Sequence, residues 1–188
     1  MRAPHLLLAK NYWKGLLKSS DWAIDSTCGN GYDTLFLAGI CSVIGIDIQR
    51  VAVQNTKALL EKEGRQALIY CLSHEAIDQI PLPSPPKLIV YNLGYLPGGE
   101  KSITTQTEST LSSLDKSLRL LAPGGALSVV CYPGHEEGLR EEQAIGEWAA
   151  RLPYAVGSAC HHRWVNRTRA PSLFWIVKKS SEGLFADP

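Results

Sequence analysis

A glycine-rich turn near the N-terminus carries the residues whose types and spacing are best suited to ligand chemistry. It reads Asp25-Ser26-Thr27-Cys28-Gly29-Asn30-Gly31 and lies between a short apolar segment and a helical pattern. Glycines at a strand-to-helix turn let a ligand approach the backbone, and the N–H groups that open the helix face that ligand. A second apolar segment ends in Asp47, where nucleotide-binding α/β folds carry a carboxylate for ribose hydroxyls. Together these features predict a nucleotide-containing ligand; the alternative is a turn without function.

The acid of the turn distinguishes between two kinds of nucleotide ligand. The turn reads D-x-T-x-G-x-G and lacks the G-x-G-x-x-G fingerprint of dinucleotide-binding proteins. It resembles the first motif of class I methyltransferases that depend on S-adenosylmethionine (SAM), with Thr27 in place of the usual first glycine. Asp25 would repel a pyrophosphate, whereas it suits a sulfonium ligand with an amino-acid tail. The sequence therefore favours SAM over NAD.

A second candidate site follows the fourth predicted strand and reads Asn92-Leu93-Gly94-Tyr95-Leu96-Pro97-Gly98-Gly99. Methyl transfer from SAM requires that a neutral nucleophile be aligned with the methyl group and that water be excluded. The side-chain carbonyl of Asn92 could accept N–H bonds from an amine and direct its lone pair at the methyl group. The glycines around Tyr95 would let the loop fold over a flat group. An asparagine-initiated turn without function is the alternative.

Histidines follow two other predicted strands. His74 is expected to border an adenine, because it follows the third strand of a nucleotide-binding sheet. His135 lies between glycines after the fifth strand and could take up a departing proton or contact a substrate. For each of them a locally hydrogen-bonded loop histidine is the alternative. His161 and His162 predict no metal site, because adjacent strand residues point to opposite faces.

Charge and composition restrict the partners. The net charge of +1 on 188 residues argues against indiscriminate coating of nucleic acid, and no DNA partner is expected. No apolar run approaches the roughly 20 residues that span a bilayer, so no membrane partner is expected. Five dispersed cysteines without a C-x-x-C predict reduced thiols in a cytoplasmic protein. Two basic stretches could contact phosphates or form solvated faces, namely Lys10, Lys14 and Lys18, and then Arg163, Trp164, Arg167, Arg169, Trp175, Lys178 and Lys179.

The elements that must position these residues form an alternating series. Helices are expected at 5–18, 51–63, 104–121 and 136–151, with a short one after the glycine-rich turn. Strands are expected at 22–24, 43–47, 66–72, 87–91, 127–132, 154–160 and 172–178. This pattern predicts one α/β domain over 1–188, with a basic helix within 1–20 and an unstructured tail over 180–188. Its mostly parallel sheet would carry helices on both faces and ligands at the carboxyl ends of the strands. A monomer and a homodimer both remain open.

Six motifs in order and spacing make the chain resemble one family. D-S-T-C-G-N-G-Y-D-T, G-I-D-I-Q, S-H-E, Y-N-L-G-Y-L-P-G-G-E-K, Y-P-G-H-E-E-G and N-R-T-R-A-P are similar to motifs of the small bacterial "putative rRNA methylase" family of class I methyltransferases. The resemblance covers about residues 22–178. It implies a Rossmann-like, mostly parallel seven-stranded sheet with an antiparallel last strand. Members usually differ at Tyr32, Glu100 and Ala170, which affects the expected substrate geometry and leaves the cofactor unchanged.

The resemblance also implies an activity and its site residues. Characterised members resemble enzymes that methylate the aminomethyl group of a wobble 2-thiouridine in the anticodon loop of tRNA. The candidate catalytic residues remain Asn92 and His135, as argued from the residues above. Implied SAM contacts are Asp25, Ser26, Thr27, Gly29, Asn30, Gly31, Asp33, Thr34, Asp47, Ile48, Gln49, His74, Asn92 and Leu93, and implied substrate contacts are Tyr95, Leu96, Pro97, Gly98, Tyr132, His135 and Arg167. The alternatives are methylation of rRNA or a small metabolite, and an RNA-binding module without catalysis.

Overall fold

A seven-stranded sheet forms the centre of the computed structural model, which describes residues 4–99 and 103–180. Its strands in chain order are β1 (Trp22–Asp25), β2 (Ser42–Asp47), β3 (Leu68–Cys71), β4 (Leu88–Asn92), β5 (Ala126–Cys131), β6 (Gly157–His162) and β7 (Ser172–Lys178). Their spatial order is β3-β2-β1-β4-β5-β7-β6. Neighbours from β3 to β5 are parallel, and β7 is antiparallel to both β5 and β6. The predicted mostly parallel sheet with an antiparallel last strand is confirmed.

Helices cover both faces of this sheet because successive strand residues point to opposite sides. The helices are α1 (Pro4–Leu16), α2 (Tyr32–Ala38), α3 (Arg50–Lys62), α4 (Thr107–Leu120) and α5 (Glu136–Ala150), with a short 3-10 helix at His74–Gln79. One core cluster joins Ile24 and Ile89 of the sheet to Leu114 of α4 and Ile145 of α5. The other joins the adjacent strand residues to α1 and α2, and its members include Ala23, Leu88, Trp13 and Leu37.

The starts of two predicted elements are wrong, one because a turn precedes the strand and the other because a β-bridge precedes the helix. The sixth strand begins at Gly157 and not at Tyr154, since the N–H groups of Val156 and Gly157 donate to the carbonyl of Pro153. The fourth helix begins at Thr107, because Thr104 pairs with Tyr95 in an isolated β-bridge. This bridge holds the loop after β4 against the start of α4. Residues 181–188 of the expected tail lie outside the described residues. No described helix is both long and apolar enough to span a membrane.

Candidate active site

A cleft of about 800 Å³ opens at the carboxyl ends of β1, β2, β4 and β5. The strand order reverses between β1 and β4, which is where ligands bind in sheets of this kind. The structure brings most of the sequence-predicted site residues into its lining. They are Ser26, Thr27, Gly29, Asn30, Asp33, Asp47, Ile48, Gln49, His74, Asn92, Leu93, Tyr95, Leu96, Pro97, Tyr132 and His135.

The glycine-rich turn is held at one end of this cleft by its neighbouring strands. The backbone N–H of Ser26 donates to Val90 of β4, and that of Cys28 donates to Ile46 of β2. The Asp47 carboxylate accepts the N–H of Gly29 at 3.0 Å and the N–H of Gln49 at 2.9 Å, one at each oxygen. A carboxylate has about four acceptor sites. Asp47 therefore orders the turn and still has lone pairs for hydroxyl groups of a ligand in the cleft.

Asp25 does not line the cleft, although the sequence places it among the cofactor contacts. It is buried beneath the turn, where its carboxylate accepts the Thr34 hydroxyl at 2.6 Å and the Thr27 N–H at 3.3 Å. Burial, together with the nearby charge of Asp33, raises the pKa of Asp25 to about 7. Thr34 is buried with it. This pair joins the end of β1 to α2 and supports the turn on the side that does not line the cleft.

Gly31 is also outside the lining, and packing against α3 explains why glycine is required there. Its φ is +85°, and a Cβ at this position would lie 2.8 Å from the Cα of Thr56. The Thr56 hydroxyl in turn donates to the carbonyl of Gly29 at 3.1 Å. Gly31 therefore lets α3 approach the turn closely. Besides Asp25 and Gly31, the predicted residues that the lining does not include are Thr34, Gly98 and Arg167.

His74 follows β3 and also lines the cleft. Its ring is edge-on to Tyr91, with 6.1 Å between centroids, and its Nε2 is 3.5 Å from the Ser109 hydroxyl. Burial lowers the pKa of His74 to about 4, so the ring is neutral at neutral pH. A neutral imidazole ring can pack against a flat base, and it does not repel a sulfonium cation.

Asn92 ends β4 and lines the cleft. Its backbone N–H donates to the Thr27 hydroxyl at 2.7 Å, which gives a physical role to the threonine that replaces a glycine. Its side-chain amide donates to Asp33 at 3.2 Å. The carbonyl Oδ1 is buried without a hydrogen-bonding partner among the described residues. Unpaired buried acceptors are rare in folded proteins, and Asn92 is a lining residue of the cleft, so its oxygen is suited to an N–H donor on a ligand.

Tyr132 and His135 follow β5 and line the cleft. Burial, together with the charge of Asp33, raises the pKa of Tyr132 to about 12, so its hydroxyl stays protonated. His135 caps α5 because its Nδ1 accepts the N–H of Gly138 at 3.1 Å. A neutral ring in this state carries its proton on Nε2, which is buried without a described partner. This geometry favours a donor role for His135 over the uptake of a departing proton.

The loop that carries Tyr95 is anchored by a buried carboxylate that sequence reasoning missed. The N–H of Gly94 donates to the Thr105 hydroxyl at 2.9 Å, and that hydroxyl donates to Glu141 of α5 at 2.8 Å. Glu141 also accepts the Thr110 hydroxyl at 2.5 Å, and burial raises its pKa. No sequence signal pointed to Thr105 or Glu141, because an acid on an amphipathic helix is normally solvated.

Comparisons with known proteins agree on one family. The family model described as "putative rRNA methylase" matches residues 43–178. The chloroplastic tRNA (mnm(5)s(2)U34)-methyltransferase of Arabidopsis thaliana is 35% identical over 184 residues, which cover 90% of this chain and 67% of that protein. This chain belongs to the putative rRNA methylase family.

Solved structures support the same assignment. A putative rRNA-methylase from Clostridium thermocellum is 31% identical, with a TM-score of 0.88 over 93% of this chain and 97% of that one. A putative methyltransferase from Streptococcus mutans, solved in complex with SAH, is 29% identical, with a TM-score of 0.86 over 95% of this chain and 99% of that one. The predicted family, the class I methyltransferase fold and the assignment as a methyltransferase are thereby confirmed.

The second basic stretch of this methyltransferase divides into two parts. Lys178 is structural, because its ammonium donates to the carbonyls of Arg119 and Leu121. By contrast, residues 163–169 form an exposed basic loop in which the Arg167 guanidinium lies 5.4 Å from the Trp164 ring centroid. Arg169, with Pro171, lines the cleft, so this loop lies at its mouth. The arginine that reaches the cleft is thus Arg169, while the predicted Arg167 stands beside it on the exposed loop.

The adjacent histidines of β6 lie on opposite faces of the sheet. His161 stacks on Phe174 with 3.8 Å between ring centroids, and His162 hydrogen-bonds the Tyr12 hydroxyl of α1 at 3.1 Å. Among the described residues, no group of three or more His, Cys, Asp and Glu side chains is arranged to hold a metal ion. These histidines therefore have separate packing partners.

Proposed function

We propose that this methyltransferase transfers the methyl group of SAM to the amino nitrogen of an aminomethyl group on a wobble 2-thiouridine of tRNA. The observation that carries the proposal is the buried, unpartnered Oδ1 of Asn92, an acceptor in the cleft that suits the N–H of an amine. The name of the Arabidopsis relative, which specifies U34 of tRNA, supports the same substrate class. The family's description specifies rRNA, so rRNA is the competing substrate in the test.

The residues around the glycine-rich turn, which form the proposed cofactor end of the cleft, fit SAM. Asp47 keeps lone pairs for ribose hydroxyls after it has accepted two backbone N–H groups, and the neutral His74 suits an adenine. Gly29, with a φ of +50°, brings backbone to the cleft without a side chain. When bound, SAM supplies an electrophilic methyl group on a sulfonium centre. The solved SAH complex of the Streptococcus mutans protein supports this assignment.

The chain's own groups would align the acceptor. An amine reacts only through its neutral form, because an ammonium has no lone pair to offer. By accepting an amine N–H, the Asn92 carbonyl would hold the nitrogen with its single lone pair directed away from Asn92. The Tyr132 hydroxyl and the Nε2–H of His135 are further donors in the cleft, and with Asn92 they form its proposed acceptor end. The bridge between Tyr95 and Thr104 would hold the overlying loop, which excludes water.

The exposed basic loop, residues 163–169, is the proposed contact for the RNA that flanks the target base. It carries Arg163, Arg167 and Arg169 with Trp164 and no acid. Arginines that alternate with an aromatic ring suit unpaired bases and the phosphates between them. A wobble base lies in a single-stranded loop, where it can be turned outwards into a cleft. The predicted cytoplasmic location and homodimer stay predictions.

The test is label transfer from methyl-labelled SAM. We expect label in tRNA that carries aminomethyl-2-thiouridine, and none in the same tRNA from cells that cannot make the aminomethyl group. Transfer to purified rRNA with none to tRNA would refute the proposed substrate in favour of rRNA. Calorimetric titration with SAM is the control for an RNA-binding module without catalysis, because such a module has no reason to bind the cofactor.

Replacement of the asparagine tests the proposed alignment. We expect Asn92→Ala to abolish transfer while the protein still binds SAM, because the turn and Asp47 remain in place. Full transfer activity in Asn92→Ala would contradict the role of its carbonyl. A protein that no longer binds SAM would also contradict it, since Asn92 would then be needed for the cofactor and not for the amine.

A further inference from the structure

We propose that Asp33 and Lys10 are positioning residues that fix the Asn92 side chain with its carbonyl oxygen available to the acceptor, and that α1 therefore belongs to the active site. The inference deepens the proposed function and rests on it for the identity of the acceptor. It gives Asp33 a different role from the cofactor contact that the sequence predicts. It also gives Lys10 a role other than a solvated face or a phosphate contact.

The first step concerns the orientation of the amide. An asparagine side chain can rotate to present either its NH₂ group or its carbonyl oxygen to a given neighbour. An ionised carboxylate only accepts, so the group facing Asp33 must be the NH₂, as the 3.2 Å contact from Nδ2 shows. The carbonyl Oδ1 is thereby turned away from Asp33. The Tyr132 hydroxyl also lies near the Asn92 side chain, but Oδ1 has no hydrogen-bonding partner among the described residues.

The second step concerns the orientation of Asp33 itself. Its other oxygen, Oδ1, pairs with the Lys10 ammonium at 2.9 Å, and the two side chains are 13% and 26% exposed. A carboxylate with one oxygen on each partner cannot rotate without loss of a charged hydrogen bond. The position of Lys10 therefore fixes the orientation of Asp33, and Asp33 in turn fixes the orientation of the Asn92 side chain.

The third step is that two side chains of α2 hold the Lys10 ammonium. Its ammonium also lies 5.0 Å from the Phe36 ring centroid, within the range of a cation–π contact. Asp33 and Phe36 are three residues apart on α2 and so share one face of the helix. The two contacts are independent of each other and select the same ammonium position.

The fourth step is that α1 is itself held rigidly. Trp13 is buried on it, and its indole N–H donates to the Ser128 hydroxyl of β5 at 2.9 Å. Near the start of the helix, His5 lies 3.3 Å from the hydroxyl of Tyr132, a second lining residue of the acceptor end. The helix therefore contacts both Asp33, which accepts the Asn92 amide, and Tyr132, which lines the same cleft as Asn92. A solvated basic helix would need neither contact.

The test uses Lys10→Met and Asp33→Asn, with Lys14→Met as the matched control. Lys14 lies one turn further along α1 and 5.5 Å from the same Phe36 centroid, and none of the ion pairs between described residues includes it. Lys10→Met keeps most of the side chain's length and removes the ion pair. Asp33→Asn keeps the shape, but its amide can donate to Oδ1 of Asn92 and so permits the opposite orientation.

We expect Asp33→Asn to lower kcat for methyl transfer by about 10²-fold, the scale of a misplaced reacting group. Lys10→Met should lower kcat in the same direction by less, and Lys14→Met should leave it unchanged. The affinity for SAM should stay within a few-fold in all three variants, since Asp47 and the turn are intact. Equal losses of kcat in Lys10→Met and Lys14→Met would overturn the proposal.

A second readout needs no RNA and separates this inference from the proposed function. In the NMR spectrum of the protein alone, the Asn92 side-chain amide can be assigned by its loss in Asn92→Ala. We expect it to be protected from solvent exchange in the wild-type protein and in Lys14→Met, and unprotected in Asp33→Asn and Lys10→Met. Unchanged protection in Lys10→Met would refute the positioning role, whatever substrate the wild-type enzyme methylates.

Discussion

Replacement of Gly31 by alanine measures how closely α3 must approach the glycine-rich turn. The new Cβ would be strained for two separable reasons. First, a φ of +85° costs an L-residue about 1–2 kcal/mol. Second, the Cβ would lie 2.8 Å from the backbone Cα of Thr56, and overpacking of this kind costs about 1–3 kcal/mol. We therefore expect Gly31→Ala to reduce the free energy of unfolding by roughly 2–5 kcal/mol in total.

Gly64→Ala is the matched control for this experiment. Gly64 has a φ of +60° after α3, but a Cβ there would meet nothing within 4 Å. It should lose only the backbone component, about 1–2 kcal/mol, and any effect on the unfolded chain is common to both variants. Urea unfolding of the three proteins gives the difference directly. If Gly31→Ala were no less stable than Gly64→Ala, the close packing of α3 on the turn would be wrong.

Three further predictions concern buried polar groups. Because the pKa of Asp25 is about 7 in the folded state and about 4 in an unfolded chain, folding takes up a proton between these values. This stabilisation is complete below about pH 4 and lost as the pH rises through about 7, so Asp25 by itself should account for a loss of roughly 4 kcal/mol over that window. Asp25→Asn should remove this contribution from the pH profile measured by urea unfolding. Trp13→Phe should lower the free energy of unfolding by about 1–3 kcal/mol, because it leaves the buried Ser128 hydroxyl without its indole donor; an unchanged urea midpoint would contradict that bond. Thr105→Val should lower kcat for methyl transfer because the Gly94 loop loses its anchor, whereas Thr105→Ser should keep the wild-type rate; equal rates in both would show that the hydroxyl is not needed.

The order of strands and helices was largely predictable from the sequence because buried parallel strands are short apolar runs that end in turns. Where prediction failed, a local turn outweighed an apolar pattern. Tyr154 and Val156 are good strand residues, yet Pro153 begins a turn that includes them. The polar residues at strand ends also located the cleft, since parallel strands present their carboxyl ends at one edge of the sheet.

The direction of individual side chains was not predictable to the same extent. Asp25 and Asp47 both end apolar strands, but the first turns under the loop toward Thr34 while the second lines the cleft. Sequence spacing does not distinguish these two outcomes, because they depend on which backbone N–H groups lie nearby. The contact between Lys10 and Asp33 was hidden for a related reason: it depends on where α1 docks, and no local pattern encodes that position.

The docking of α1 has a consequence for how the enzyme is made. The helix comes first in the chain, but its anchors Ser128 and His162 lie 115 and 150 residues from their partners Trp13 and Tyr12. Synthesis on the ribosome proceeds from the N-terminus, so the helix emerges long before the strands that hold it. We expect nascent chains to complete first the half of the sheet that contains Asp47. The half that contains Asn92 would become competent for methyl transfer only after β7 has been inserted.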